Sequence, residues 1–198
     1  MTTATISPPQ AEVGPHPLTW TTEQYYKLGE LGFFQGKRVE LIYGEIFEMS
    51  PINWFHTVGT TKVGDVLRVI FAGQGWINTQ NPLAMTDSHP QPDVSVIPGR
   101  IADYADHPQR AMLIVEVSDT TLFYDTTTKA ELYATAGVPE YWVLDLDGKR
   151  LLVFRDPVQL PKGLGASAYQ THFSLGSTET IAPLAVPNGN ITVSELLP

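Results

Sequence analysis

The chain has 198 residues, no cysteine and a formal net charge of −9 at pH 7. This length suits one domain with a sizeable core, and the lack of cysteine excludes disulfides and thiolate metal sites, which fits a cytoplasmic protein. No apolar run reaches the roughly 18 residues of a membrane-spanning helix. The negative charge counts against tight, non-specific binding to DNA, because such binding depends on neutralising phosphates with basic side chains.

The N-terminal part of the chain divides into an arm and the start of a domain. Residues 1–17 are rich in Thr, Pro and Ala without periodicity, which predicts a flexible arm ahead of one domain at 18–198. The pattern Thr21–Gln24 is a capping box, and it predicts a helix that turns Tyr25 and Leu31 inward.

A hairpin and a second helix are predicted next. The segment Arg38–Met49 alternates polar and apolar residues on both sides of Gly44–Glu45, as a β-hairpin does. Asn53 can cap a helix that runs to about Ala72 with an apolar face, and His56 falls in its first turn.

The centre of the chain reads as strands around one helix. Trp76–Pro82 and Pro92–Ile97 are expected to pair as antiparallel neighbours, and Met112–Val117 is an apolar run typical of a buried strand. A helix at about Thr126–Ala136 and a strand at Glu140–Asp145 complete a βαβ unit, so the two flanking strands should lie parallel. Further strands are expected towards the C-terminus, at Arg150–Phe154 and at Tyr169–Phe173, and Ile191–Leu197 is a short terminal strand or a helical turn.

Charged residues on these elements form a candidate metal site. Glu116 lies in the buried strand and Asp93 at the head of its expected neighbour, so the two carboxylates can converge on one hard cation, Mg²⁺ or Mn²⁺. Lys129, on the following helix, can orient or deprotonate an attacking water or steady a phosphate. Two acids and a lysine in this order are the parts of a metal-dependent phosphodiester-cleaving site.

A plainer interpretation of the same residues stands beside this one. Asp93 follows a proline and can cap a turn, and Glu116 can be an ordinary acid near the end of a strand. Lys129 can pair with Asp125, four residues earlier, on an exposed helix face. In the functional interpretation, Lys129 lies at the border between packed and solvated surface and points its ammonium towards Glu116.

A family resemblance rests on short runs spread along the chain. They are Val39–Gly44, Met49–Pro51, Pro92–Val94, Val115–Asp119, Tyr124–Asp125, Lys129, Leu132–Ala134 and Ala136–Trp142. These runs resemble a large bacterial family of restriction-endonuclease-like proteins of unknown function, which belongs to the PD-(D/E)xK nuclease superfamily. The resemblance extends from about Thr19 to Asp156.

The resemblance implies a fold and a set of roles. The fold is α/β with a mixed sheet: an αβββαβ core with an extra N-terminal helix and hairpin and with C-terminal strands. Asp93 and Glu116 correspond to the metal-binding aspartate and glutamate, and Glu40 to a further acid. The superfamily's lysine normally follows the glutamate by two residues, where this chain has Ser118, and Lys129 on the next helix takes its place.

Some alternatives remain open for individual residues. Glu40 occupies a polar position in a hairpin strand, and such positions normally face solvent. His56 can flank the site, although a histidine in a first helical turn is more often structural or exposed. Tyr141 and Trp142 are expected to be core aromatics.

Two functions follow from these patterns. One is a metal-dependent nuclease that hydrolyses phosphodiester bonds in DNA through an activated water. The other is a non-catalytic binding or assembly module that retains the nuclease fold, which the charge of −9 favours. The presence of Asp93, Glu116 and Lys129 in the same chain favours the nuclease. Burying charged side chains costs free energy, so they are not expected there without a functional role. We also expect a homodimer that buries a sheet edge.

Overall fold

The structure of the chain is a computed structural model that describes residues 15, 17–158 and 169–198. The predicted arm at 1–17 lies outside the described residues except at two positions. The division into an arm and one domain therefore stays a prediction.

Helix α1 (Thr22–Glu30) begins at the predicted capping box. The Thr21 hydroxyl accepts a hydrogen bond from the backbone of Gln24, whose side chain accepts one from the backbone of Thr21. Tyr25 is buried, as predicted. Leu31 is 64% exposed, so its inward assignment is wrong. The helix ends one residue before Leu31, which therefore does not continue the buried stripe.

The predicted hairpin is formed by antiparallel strands β1 (Val39–Ile42) and β2 (Glu45–Glu48). Its turn lies one residue earlier than predicted, at Tyr43 and Gly44, with φ angles of 52° and 78°. Two consecutive residues with positive φ suit the turn that matches the twist of a hairpin. Glycine is also needed for space, because a Cβ atom on Gly44 would come within 2.7 Å of Thr19 Cβ.

A mixed six-stranded sheet forms the centre of the fold. Its strand order follows the sequence, and only the β5–β6 pair is parallel. The strands are β3 (Gly75–Thr79), β4 (Val94–Pro98), β5 (Leu113–Ser118), β6 (Glu140–Asp145), β7 (Arg150–Pro157) and β8 (Tyr169–Gly176). The predicted antiparallel pairing of β3 with β4 and the parallel βαβ unit are confirmed.

Helices cover both faces of this sheet. Helix α2 (Trp54–Ile70) begins at Asn53, as predicted. The β5–β6 crossover contains α3 (Leu122–Tyr124), a π-helical segment at Asp125–Lys129 and α4 (Ala130–Thr135). The C-terminal part adds β9 (Thr180–Ile181), β10 (Ile191–Thr192) and α5 (Val193–Leu196). The order α2, β3, β4, β5, crossover helix, β6 is the predicted αβββαβ core.

Strand β5 separates two hydrophobic clusters. Val115 and Val117 pack on one side, in a cluster with Val63 and Leu67 of α2. Ile114 packs on the other side, in a cluster with Leu132 of α4. Glu116 shares the face of Ile114 by the alternation of the strand. The glutamate is therefore carried under the crossover helix, away from α2.

Candidate functional site

The crossover helix is widened where it passes the sheet. Its residues Asp125–Lys129 form a π-helical turn that contains three consecutive threonines. The hydroxyl of Thr126 donates to the carbonyl of Leu122 at 2.7 Å, and that of Thr127 donates to the carbonyl of Phe123 at 2.6 Å. Threonine hydroxyls that bond back to the previous turn favour such local departures from α-helix. The widened turn ends at Lys129.

Lys129 is fully buried, with an exposed fraction of 1%. Its Nζ atom lies 2.7 Å from Glu40 Oε2 and 3.1 Å from Glu116 Oε1. Burial lowers the pKa of Lys129, but the charges of Glu116 and Glu40 outweigh it and hold the pKa well above the ordinary value. Lys129 is therefore a cation held between two carboxylates.

The expected direction of the Lys129 ammonium, towards Glu116, is confirmed. The expected position of Lys129 at the border of the solvated surface is wrong, because the side chain is buried. So is the alternative of a surface pair with Asp125, since Asp125 is itself buried and accepts a hydrogen bond from the Thr121 hydroxyl at 2.6 Å. The interpretation assumed an α-helix whose outer face carries both residues. In the structure, the widened turn and the docked hairpin close over Lys129.

Glu116 accepts hydrogen bonds on both carboxylate oxygens. Its Oε1 accepts from the Tyr133 hydroxyl at 2.6 Å and from Lys129 at 3.1 Å, and its Oε2 accepts from the backbone of Asp93 at 3.0 Å. Burial raises the pKa of Glu116, the charge of Lys129 opposes this rise, and the charges of Asp93, Asp125 and Glu40 add to it, so that the pKa stands at about 8. The site holds more negative charge than one lysine balances.

Asp93 lies directly against Glu116. Its Oδ2 accepts from the backbone of Val117 at 2.9 Å, while its own backbone N–H donates to Glu116. This reciprocal pair of bonds joins the head of β4 to the end of β5. Both residues line one pocket, so they do not have the placement on opposite faces of the sheet that would exclude a shared cation. That the two carboxylates hold one cation stays a prediction.

His56 flanks the site, which is one of the two alternatives that the sequence left open. Its Nε2 lies 3.0 Å from Asp93 Oδ2, and its Nδ1 lies 3.4 Å from the Thr60 hydroxyl. The Asn53 side chain caps α2 by accepting from the backbone of His56 at 2.9 Å. A histidine directly after a helix cap and close to a metal-binding motif is the signal that could have decided between the two.

Glu40 is buried, with an exposed fraction of 2%, so the solvent-facing alternative is wrong. The hairpin docks on the segment before β4, where the backbone of His89 donates to the carbonyl of Leu41 at 2.6 Å. Glu40 Oε1 accepts from the backbone of Gln91 at 3.0 Å, which leaves Oε2 to face Lys129. The hairpin thus delivers a third carboxylate to the site.

All four predicted site residues line one pocket of about 140 Å³. Acidic residues outnumber lysine and arginine in its walls by five to two. The acids are Glu40, Asp93, Glu116, Asp119 and Asp125, and the bases are Arg38 and Lys129. Pockets for small organic ligands usually measure about 300 to 1,000 Å³, so this one suits an ion, waters and one phosphate group rather than a whole nucleotide.

The donor chemistry of the pocket fits a divalent cation with a preference for oxygen. One oxygen of each carboxylate has a single hydrogen bond and can still bind a cation. Asp93 Oδ1 accepts from Gln80 Nε2 at 3.4 Å, and Glu116 Oε2 accepts from the backbone of Asp93. Among the described residues, no three His, Asp or Glu side chains form a ready ligand set. Magnesium usually takes one or two carboxylates and keeps several waters, so two protein ligands suffice.

Comparisons with known proteins agree with this architecture. A family model described as "Uma2: Putative restriction endonuclease" matches residues 22–194. The fold is similar to the crystal structure of "a putative nuclease belonging to DUF820" from Anabaena variabilis ATCC 29413, with a TM-score of 0.68 and 14% sequence identity. That similarity covers 91% of this chain and 97% of the other. No protein with a curated description matches the sequence. No helix within the described residues is long and apolar enough to cross a membrane.

Proposed function

The chain belongs to the Uma2 family, described as putative restriction endonucleases, and from this premise we propose that it is a metal-dependent nuclease acting on DNA. One observation carries the proposal. Asp93, Glu116, Lys129 and Glu40 come from separate elements and meet in one acidic pocket. Their roles and the metal are part of the proposal.

Asp93 and Glu116 are the residues that would hold Mg²⁺ or Mn²⁺. When bound there, such an ion supplies a water with a lowered pKa and balances the negative charge that develops on a phosphate. The raised pKa of Glu116 supports this assignment, because a nearby divalent charge would favour the ionised carboxylate and relieve the excess of negative charge.

The surrounding side chains hold and orient the reacting groups. Lys129 keeps its proton, since its pKa is raised, so it serves as a fixed positive charge towards the scissile phosphate rather than as a base. Glu40 holds the lysine ammonium, and His56 holds Asp93. Water adds to phosphorus, one P–O ester bond breaks, and the leaving oxygen gains a proton.

Cleavage of supercoiled plasmid and of single-stranded DNA with Mg²⁺ or Mn²⁺ tests the proposal. We expect cleavage by the wild type and its loss in Glu116→Gln and Asp93→Asn. Asp65→Asn is the matched control, because Asp65 pairs with Arg68 on an exposed helix surface. Cleavage that persists in Glu116→Gln would place the chemistry elsewhere.

Cation binding is measured separately from activity. We expect Mg²⁺ or Mn²⁺ to raise the melting temperature of the wild type, since an ion that binds only the folded state stabilises it. Asp93→Asn should abolish this rise. A cation that binds without any cleavage would favour the second candidate, a binding or assembly module, which the net charge of −9 and the acid-rich pocket also favour.

A homodimer is part of the proposal as well. Strand β8 is an outer strand of the sheet, most of its side chains are exposed, and Phe173 on it is 37% exposed. An outer strand of this kind offers unpaired backbone groups to a second copy. Sedimentation at tens of micromolar should show a dimer, and a monomer there would count against it.

A further inference from the structure

A second and larger cavity adjoins the acidic pocket. Its volume is about 520 Å³, within the range of about 300 to 1,000 Å³ for small-molecule sites. Phe55 and Leu146 give it apolar walls, and Asp119, Asp147 and Lys149 add polar groups. Asp119 lines both cavities, so the two are immediate neighbours.

The wall between the cavities is held by the cap of α2. The Asn53 side chain donates to Asp119 Oδ2 while it caps the helix through His56. One turn further along, a Cβ atom on Gly59 would meet Val117 Cγ1 at 3.0 Å, so the helix lies close against the end of β5. Phe55, in the first turn, therefore has a fixed backbone, and its side chain is 65% exposed.

The size and charge of the cavities decide which part of a nucleic acid each can accept. The acidic pocket has room for a phosphate group but not for the attached nucleoside. The larger cavity carries two carboxylates, which repel phosphates, beside an exposed aromatic ring that can stack on a base. A nucleobase next to the scissile phosphate therefore suits the larger cavity.

The charge of the protein bears on whether that base is paired. With a net charge of −9 and five acids lining the pocket, phosphate contacts contribute little affinity, and stacking has to supply more of it. Bases inside an intact duplex are already stacked and paired, so they cannot enter a side cavity without being unpaired first.

We propose that the cavity lined by Phe55, Leu146, Asp119 and Lys149 is a subsite for an unpaired nucleobase. The substrate class is then single-stranded or locally unpaired nucleic acid. This assignment rests on the proposed nuclease function.

Binding of fluorescein-labelled oligonucleotides, followed by anisotropy with Ca²⁺ in place of Mg²⁺, tests the subsite. We expect single-stranded DNA to bind more tightly than a hairpin duplex of the same composition. Phe55→Ala should weaken single-strand binding between about fivefold and a hundredfold, the range for loss of one stacked base, and Phe55→Trp should retain it. Phe33→Ala, at a phenylalanine that is 67% exposed near α1, should change nothing.

The outcomes separate the subsite from the nuclease itself. Equal binding by Phe55→Ala and the wild type, tighter binding of duplex, or no binding of any oligonucleotide would overturn the subsite. So would loss of a dimer in Phe55→Ala, which would make the ring a contact between copies. Binding of single strands that depends on Phe55, without cleavage in Mg²⁺ or Mn²⁺, would support the subsite and overturn the nuclease. If Phe55→Ala cleaves duplex DNA as well as the wild type does, the nuclease would be supported and the subsite overturned.

Discussion

Among the described residues, a carboxylate–cation network around Glu140 lies away from the candidate site, whereas another around Lys129 lies within it. In the first, Glu140 Oε1 accepts from Arg155 at 2.7 and 2.9 Å and from the Trp142 indole at 2.9 Å, and its Oε2 accepts from the backbone of Leu184 at 2.7 Å. In the second, Lys129 lies between Glu40 and Glu116.

The networks differ in charge balance. Glu140 has one guanidinium partner, and Arg155 also donates to the carbonyl of Ala182, so the group ties β6 and β7 to the C-terminal segment. At the candidate site one ammonium serves two carboxylates, and Asp93 adds a third. Burial of a charge is therefore not a sign of function by itself. An excess of negative charge beside a pocket is the stronger sign, because it leaves capacity for a cation.

Replacement of the two cations gives the largest expected effect. Lys129→Met should lower the free energy of unfolding by about 3 to 5 kcal/mol, because the buried Glu40 carboxylate loses its ammonium partner. Arg155→Met should cost less, since the Arg155 side chain is 19% exposed and the buried Glu140 keeps hydrogen bonds from the Trp142 indole and the backbone of Leu184. Urea denaturation at pH 7 measures both. A loss under about 1 kcal/mol for Lys129→Met would mean that the network is loosely held.

For the carboxylates we expect the opposite order, with a larger loss of stability at Glu140 than at Glu116 in the candidate site. Glu140→Gln removes the charge opposite Arg155 and should cost about 3 kcal/mol at pH 7. Glu116→Gln should cost less, about 1 to 2 kcal/mol in metal-free buffer, because the pKa of Glu116 is raised to about 8 and little buried charge is removed. The remaining cost comes from the amide NH2 group, which cannot accept from the backbone of Asp93. The same denaturation series checks this, and equal losses would contradict the difference in charge balance.

The raised pKa of Glu116 also predicts how the stability of the protein changes with pH. The pKa of Glu116 is raised from 4.5 to about 8, so the folded state holds a proton that the unfolded state has lost. Its contribution to stability is complete below pH 4.5 and is lost as the pH rises through 8. Metal-free wild type should lose roughly 3 to 4 kcal/mol between pH 5 and 8 relative to Glu116→Gln. Parallel profiles for the two proteins would exclude the raised pKa.

The smallest expected difference in stability is between variants that remove two tyrosine hydroxyls. Tyr133 donates to Glu116 at 2.6 Å, whereas Tyr141 donates to the backbone carbonyl of Asp125 at 2.9 Å. Above pH 8, Tyr133→Phe should cost about 2 kcal/mol and Tyr141→Phe about 1 kcal/mol, because hydrogen bonds to charged groups are stronger. Thermal unfolding of both variants at pH 8.5 and pH 6 gives the comparison, and the gap should narrow at the lower pH.

The sequence predicted the fold well because its signals are local. The run Ala136–Trp142 contains a helix stop followed by a strand, and the hydrophobic Met112–Val117 run needs two covered faces, so the βαβ unit follows from neighbouring residues. The adjacency of Asp93 and Glu116 followed from pairing those strands.

The burial of the site could not be predicted in the same way. Glu40 is inside only because the hairpin docks at His89, 48 residues beyond its partner Leu41, and no local pattern reports that contact. Lys129 was assigned to a surface on the assumption of regular α-helical spacing. The three threonines before it were the available sign that the spacing changes. The catalytic and metal-binding roles themselves stay predictions.

The π-helical turn has a consequence for how this site tolerates changes in length. A turn of this kind holds one residue more than an α-helical turn, and each residue of an α-helix corresponds to about 100° of rotation. Deleting Thr127 would therefore let the turn become α-helical with Phe123 and Asp125 near their present orientation relative to Lys129. The undeleted sequence in a regular α-helix would instead turn Lys129 by about 100° from that orientation. The extra residue therefore sets the rotation of Lys129 about the helix axis, and this rotation lets a lysine on the helix reach Glu116. A lysine on the strand, at the position of Ser118, is then not needed.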